Sequence, residues 1–583
     1  MGRTIKNYYG KYRPVPINLH QRVLLGTDFL VHNPDKRYGC LPTFTVSFDD
    51  KKTVGRHDFP DFGDLTSRYL EALLLAKQMT GSNSGDETIT ALKKLFLSFF
   101  RHRDGLNYRP PVDAPFQSLI TGKPYQPEVA EGFDQSRVMF TLLTWFLITG
   151  EAKPKQLFDK LIDGIRSKAV IKNDYLYFAG PTFTPGHRPA PDSPSYPEQL
   201  YFAGTMILPL AKWYKLTGNT AALDTAGKLV NFIIKQSDYF GPDGSFTALE
   251  VKGSKSWDLI NGHTHSRLGA IAGILKYGNL TSDKPVFEFG KRAFHWFYRN
   301  YCLLTGWCPE FVGRYPIEQE GCETCTLMDL VYCCLELCAA GHQKYWNLIE
   351  RVARNQLLEQ QLTDVSFLGF AHGSPGKKFE SYPVSPKAVL GAFGGWCGVN
   401  DFISDNIAAR HLMNCCGPSG VKTLYLVWQN IISWQDKTLS INMLLPRNSR
   451  YANIISHEPR KGKLEIVLRQ NCRLQILIPE WVNKEQVSIS VNGKIRANRW
   501  TGFQLLIEDV GINQKAVITY PLRSITLTEK SGLRKYRTSW VGSTVISIDP
   551  SGRRVPLYQR SQLLKSCKPM ALPDYIPEKE ITL

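Results

Sequence analysis

Residues 65–81 read LTSRYLEALLLAKQMTG. Apolar side chains at helical spacing run up to Met79, and Gly81 stands just past the last of them. Glycine there takes the left-handed conformation without steric cost and ends a helix. The same figure recurs at Phe133 to Gly150, Glu198 to Gly218, His265 to Gly278 and Cys325 to Gly341. Successive glycines are 69, 68, 60 and 63 residues apart, the length of two helices with their connections. A second amphipathic helix follows each stop, as at Thr220 to Gln236 and Lys344 to Leu362. A helix pair cannot bury its apolar faces alone, so five or six pairs must stack or close into a ring. The expectation is an (α/α)6 toroid, a helical barrel, over residues 58–414.

Past about residue 420 the period changes from helical to two. Ser440 to Leu445, Leu464 to Leu468, Leu474 to Ile478, Val487 to Val491, Phe503 to Ile507 and Ala516 to Tyr520 read as strands. Asn492-Gly493 suits a tight hairpin turn. The chain is thus expected to be an α+β multidomain protein, with an antiparallel β-sandwich at 415–583 behind the toroid. Residues 1–57 form an N-terminal extension expected to add strands to that β-domain.

Composition is consistent with this. A chain of 583 residues, 43% hydrophobic and 21% charged, is globular and too long for one core. No stretch carries the roughly 18 uncharged apolar residues of a membrane helix, and Met1 to Val15 has no apolar core of a secretory signal. A soluble, cytoplasmic protein is expected, with no membrane partner. The formal charge of +19 favours acidic partners. Yet no zinc finger, RNA-binding motif or aromatic-interleaved basic stripe is present, so nucleic acid is not the expected partner. Oligomeric state leaves no trace in the sequence. Of thirteen cysteines, Cys333, Cys334 and Cys338 read as small core residues.

The starts of the repeated helices carry polar groups: Asp61 and Asp64, Asp134, Glu198 and Gln199, His263 and His265, then Glu323 and Cys325. In a ring of parallel first helices these converge on one rim. Asp64 and Asp134 are expected to act as N-caps, whereas His263, His265, Glu323 and Cys325 are not favoured caps. Zinc takes thiolate, imidazole and carboxylate ligands in tetrahedral geometry. Glu323 and Cys325 form a Glu-x-Cys pair at a helix start, and the adjacent Cys415-Cys416 lies 90 residues after Cys325. On these residues alone two readings stand: a metal site, or buried loop thiols beside a carboxylate stabilised by a helix dipole.

Gly321-Cys322-Glu323-Thr324-Cys325, the following Trp346, Ile349, Glu350, Arg351 and Asn355, and Asn414-Cys415-Cys416-Gly417-Pro418 together resemble glycoside hydrolase family 127, the β-L-arabinofuranosidase-like enzymes. Ile478-Pro479-Glu480-Trp481 and Val491-Asn492-Gly493 extend the likeness into the β-region, over about residues 60 to 525. The resemblance implies a Zn2+ site of Glu323, Cys325, Cys415 and Cys416, with Cys415 as the nucleophile of a retaining glycosidase. It also implies a general-acid glutamate shortly before the Glu-Thr-Cys, for which Glu310 is the expected residue and Glu318 and Glu320 are the competitors. His263 resembles the family's sugar-contacting histidine. His265 stands where the family has Asn, and either hydrogen-bonds sugar hydroxyls or is structural. Trp396, in a glycine-rich loop, is expected to stack on a sugar ring or to anchor the core. The chain continues Cys-Cys-Gly-Pro-Ser where the family commonly has Cys-Cys-Pro-Pro-Asn, which bears on arabinofuranose specificity more than on the thiolate chemistry.

The implied function is release of L-arabinofuranose or a related sugar from plant or algal glycans, so the expected partner is an oligosaccharide or glycoside. Two alternatives remain at this level: a uronide hydrolase or lyase on the same toroid, and a non-enzymatic, zinc-stabilised glycan-binding protein.

Overall fold

The computed structural model describes residues 17–583 except 50–51, 59–60, 111–127, 250–259, 367, 369–379, 384–387, 406–410, 567–574 and 579. The amino-terminal residues Met1 to Val15 therefore lie outside the described residues. In chain order the helices are α1 (Leu19–His32), α2 (Gly63–Thr80), α3 (Asp86–Ser98), α4 (Gly132–Thr149), α5 (Ala152–Lys168), α6 (Gln199–Phe202), α7 (Ile207–Thr217), α8 (Thr220–Asn231), α9 (Thr264–Thr281), α10 (Lys284–Tyr301), α11 (Thr324–Ala339), α12 (Tyr345–Val352) and α13 (Cys416–Asn430). None of them is long and apolar enough to cross a membrane.

The inner ring runs α2, α4, α6 with α7, α9, α11, α13 and back to α2, each packed on the next. These helices are buried almost all round, as expected of elements covered on both sides. Outer helices such as α5 and α10 bury only one stripe. Gly81, Gly150 and Gly218 cap their helices with φ of 67°, 69° and 75°, and Gly341 follows α11 with φ of 92°.

Four sequence expectations are corrected. Gly278 does not end a helix: it lies within α9, and a Cβ there would meet the Phe287 backbone nitrogen at 2.6 Å, so its role is close approach of α10. Asp64 and Asp134 are not N-caps, because both lie inside the first turn. There they pair with Arg68 and Arg109. The boundary at residue 415 also moves, since Cys416–Asn430 is the sixth inner helix and closes the ring between α11 and α2. Its outer partner is α1, from the N-terminal segment. The toroid thus draws its last helix pair from opposite ends of the expected domain, and this pairing buries α13 on both sides.

Strands do arise before residue 58, but they join a separate four-stranded sheet, not the β-domain. Its order is Glu380–Pro383, Lys52–Arg56, Thr45–Asp49, His411–Met413, all antiparallel. His411–Met413 leads directly into Asn414 and the cysteine pair. After α13 come five- and six-stranded sheets, followed by a three-stranded one over Ser524–Asp549. Pairing is antiparallel apart from Thr438–Ile441 beside Cys472–Leu477. Lys463–Leu468 alternates buried and half-buried residues, as a one-faced strand should. Asn492 and Gly493 both have positive φ, 48° and 78°, in the two-residue hairpin between Val491 and Lys494.

The β-domain is fastened to the ring by the helix that carries Glu350, Arg351 and Asn355. Glu350 accepts from the Leu444 amide at 2.8 Å, and Asn355 donates to the Ser543 carbonyl at 3.0 Å and accepts from the Val545 amide at 2.8 Å.

Candidate metal and catalytic centre

Glu323 occupies the N-cap position of α11 and Cys325 its first turn, while Cys415 and Cys416 open α13. Because α11 and α13 are ring neighbours with their first turns on one rim, residues 90 apart in sequence meet. The ligand atoms of Glu323, Cys325, Cys415 and Cys416 all lie within 4.8 Å of one another. The Cys415 sulfur is 3.7 Å from Glu323 Oε1 and 4.0 Å from the Cys416 sulfur. Cys416 is 3.9 Å from Cys325 and 4.0 Å from Glu323 Oε1. A tetrahedron with Zn–S of about 2.3 Å has S···S edges of about 3.8 Å. These separations match that size, and a carboxylate with three thiols is a zinc donor set.

All four groups are buried. Burial raises the Cys416 thiol and the Glu323 carboxyl well above their ordinary ranges. Cys415 is raised by its hydrogen bonds with Cys325 and Cys416 and by burial. Cys325 goes the other way: against burial, hydrogen bonds with Cys415 and Cys416 and the Arg68 charge hold it well below an ordinary thiol. The cluster alone therefore keeps one thiolate and protons elsewhere. A dication bound at its centre would release those protons.

Glu323 is oriented by His263, whose Nε2 lies 3.2 Å from Oε2, while His263 Nδ1 lies 2.9 Å from the Ser266 hydroxyl. Burial and the neighbouring His265 lower His263 well below an ordinary imidazole, so it is neutral. Glu310 comes within 4.8 Å of both His263 and Glu323. Burial and then the charge of Glu320 raise it well above an ordinary carboxyl, the protonation an acid catalyst requires. The Trp396 indole N–H donates to Glu310 Oε2. Of the competitors, Glu320 is buried and raised to about 7 by burial. Glu318 instead accepts from the Leu533 amide at 3.3 Å, away from the cluster.

His265 lies in a layer beneath the cluster. Arg137 Nη2 and Arg68 Nη2 approach its Nε2 at 2.7 and 3.3 Å, and Asp329 pairs with its Nδ1. Two guanidinium donors aimed at Nε2 assign it as the acceptor and put the proton on Nδ1. Both ring nitrogens of His265 are thus engaged within the protein. Of the other helix-start groups, Asp61 pairs with His57 at 2.6 Å and Gln199 holds the Phe178 backbone. The sequence reading missed Arg68, Arg137, Asp329 and Ser419. The available signal was their i+3 or i+4 spacing from Asp64, Asp134, Cys325 and Cys415.

No family model and no curated protein matches the sequence. The fold does have solved counterparts. A GH127 β-L-arabinofuranosidase from Geobacillus stearothermophilus T6 superposes with a TM-score of 0.56 at 12% identity, over 91% of this chain and 80% of that one. A second GH127 β-arabinofuranosidase gives 0.53 at 14% identity, over 91% and 81%. A structure described as a glycoside hydrolase gives 0.55 at 12%, over 83% and 77%. At such identities the likeness is one of fold.

Proposed function

We propose that the protein is a retaining glycoside hydrolase whose nucleophile is the zinc-bound thiolate of Cys415, acting on L-arabinofuranosides or related sugars of plant or algal glycans. The observation that carries this reading is the convergence of Glu323, Cys325, Cys415 and Cys416 at tetrahedral spacing, with a protonated Glu310 beside it. Zinc, held by these residues, would supply the charge that keeps the Cys415 sulfur ionised at neutral pH.

The Cys415 sulfur attacks the anomeric carbon as the bond to the leaving oxygen breaks, and Glu310 gives that oxygen its proton. Glu310, now a carboxylate, takes a proton from water. The resulting hydroxide displaces the sulfur with a second inversion, returning thiolate and acid and giving net retention. His263 holds Glu323 in place, and Trp396 holds the Glu310 carboxyl. Trp396 thus serves the acid whether or not its ring also meets the sugar.

The test is a panel of nitrophenyl furanosides and pyranosides, including α- and β-L-arabinofuranosides, assayed with and without a zinc chelator. Chelation and Cys415→Ser should each abolish hydrolysis, and mass spectrometry should trap a glycosyl adduct on Cys415. Full activity of Cys415→Ser would instead favour a uronide hydrolase or lyase on this toroid. One observation favours a non-enzymatic reading: four protein ligands close a zinc site, the usual mark of structural zinc. Under that reading Cys415→Ala lowers the melting temperature and no substrate turns over in the parent protein.

A further inference from the structure

Three cysteines face one ion position, and their surroundings differ. Arg68, buried on α2, spreads its guanidinium over four partners. Nε pairs with Asp64, and Nη2 lies 3.3 Å from His265 Nε2. Nη1 lies 3.5 Å from the Cys325 sulfur and 2.9 Å from the Ser419 hydroxyl. Ser419 Oγ is itself 3.3 Å from that sulfur. The ring of Phe133 lies under the same guanidinium, 5.7 Å to its centroid. Among the described residues no N–H or O–H donor reaches the other two sulfurs. Cys415 meets Glu323, Cys416 and the Met413 carbonyl, and Cys416 meets Cys325, Cys415 and Glu323.

We infer that Arg68, with Ser419, is a positioning pair that fixes Cys325 as the permanent thiolate ligand and leaves Cys415 as the sulfur free to react. This rests on the proposed thiolate chemistry and deepens it. A hydrogen bond from a cation draws electron density off a thiolate and weakens it as a nucleophile, while donors around a metal's ligands hold them in place. Three thiolates and a carboxylate around a dication carry a net charge of −2, for which Arg68 is a directly bonded counter-cation. Cys416 is set apart from Cys415 by access: its relative exposure is 0%, against 5% for Cys415. Selection of the nucleophile thus follows from one guanidinium and one hydroxyl at Cys325, together with the lower access of Cys416.

The test uses the full chain as wild type, Arg68→Lys, Ser419→Ala and Ser419→Thr, with folding checked by circular dichroism. Zinc affinity is measured by competition with a chromophoric chelator, and the cobalt(II)-substituted proteins are read by their thiolate-to-metal charge-transfer absorption. Removing a donor raises the energy of the sulfur lone pairs, so the band should move to longer wavelength in Arg68→Lys and Ser419→Ala. Zinc binding should weaken by about 10- to 100-fold in Arg68→Lys, less in Ser419→Ala, and Ser419→Thr should keep the wild-type band. If Arg68→Lys does not fold, Ser419→Ala carries the test. Folded variants with wild-type affinity and an unmoved band would overturn the inference alone. A wild-type protein that binds neither ion overturns the zinc reading with it.

Discussion

One helical turn below Arg68 and Ser419, the ring interior holds a second buried charge pair, and its removal makes a quantitative test of how the toroid is stabilised. Lys422 on α13 reaches Glu71 on α2 at 2.8 and 2.9 Å, with side-chain exposures of 6% and 5%. Thr144 on α4 donates to the same carboxylate at 2.8 Å, and the Lys422 ammonium sits 4.0 Å from the Phe140 ring centroid. Lys422→Met leaves a carboxylate in a dry interior, and its cheapest relief is a proton. Protonating an ordinary glutamate costs about 3.7 kcal/mol at pH 7 and about 1 kcal/mol at pH 5. With the lost ring contact, the variant should be destabilised by about 3–5 kcal/mol at pH 7 and by about 2.7 kcal/mol less at pH 5. Glu71→Gln with Lys422→Met removes both charges, keeps a partner for Thr144, and should lie within about 2 kcal/mol of wild type at either pH. Urea unfolding followed by circular dichroism, with each variant referred to wild type at the same pH, measures all three. A single-variant penalty under about 1 kcal/mol at pH 7, or one independent of pH, would refute the reasoning.

Four further outcomes are expected. Glu310→Ala should cut turnover about 10²- to 10⁴-fold on glycosides with poor leaving groups and far less on those with acidic phenols; an equal loss across the series would remove Glu310 as the acid. Gly420→Ala sets a Cβ 2.3 Å from the Phe393 ring, which should cost about 1–3 kcal/mol and, by shifting the start of α13, lower zinc stoichiometry; Phe393→Leu in the same chain should restore both. His57 is raised to about 9, its bonds to Asp35 and Asp61 outweighing burial. Its contribution to stability is complete below about pH 6.5 and is lost as pH rises through about 9, so His57→Gln should flatten thermal stability between pH 7 and 10. Asn355→Ala, which strands the Ser543 carbonyl and Val545 amide, should lower the melting temperature through loosened docking of the β-domain while leaving zinc affinity unchanged.

Local chemistry accounts for what was legible in the sequence. A glycine stop is a one-residue event, so Gly81, Gly150, Gly218 and Gly341 announce helix ends without reference to anything distant. Gly278 misled because the same residue also serves close helix packing, which no local pattern distinguishes from a stop. The strands after residue 430 were readable from alternation, and Asn492-Gly493 from its turn chemistry. The four-residue cluster was legible only through the likeness to glycoside hydrolase family 127, since Glu-x-Cys and Cys-Cys by themselves leave a metal site and buried thiols equally open.

What the sequence by itself determined is the repeat of helix pairs, the switch to period two, and the residue types able to make a thiolate-rich site. Only the tertiary structure decided which helices close the ring, that His265 is spent on Arg68, Arg137 and Asp329, and which of the three sulfurs meets the Arg68 guanidinium. The reason is separation. Arg68 lies 257 residues from Cys325 and 351 from Ser419, and α1 packs on α13 from the far end of the toroid. Spacing along a helix or strand records only near neighbours, whereas a hydrogen bond across the ring depends on how six inner helices settle against one another.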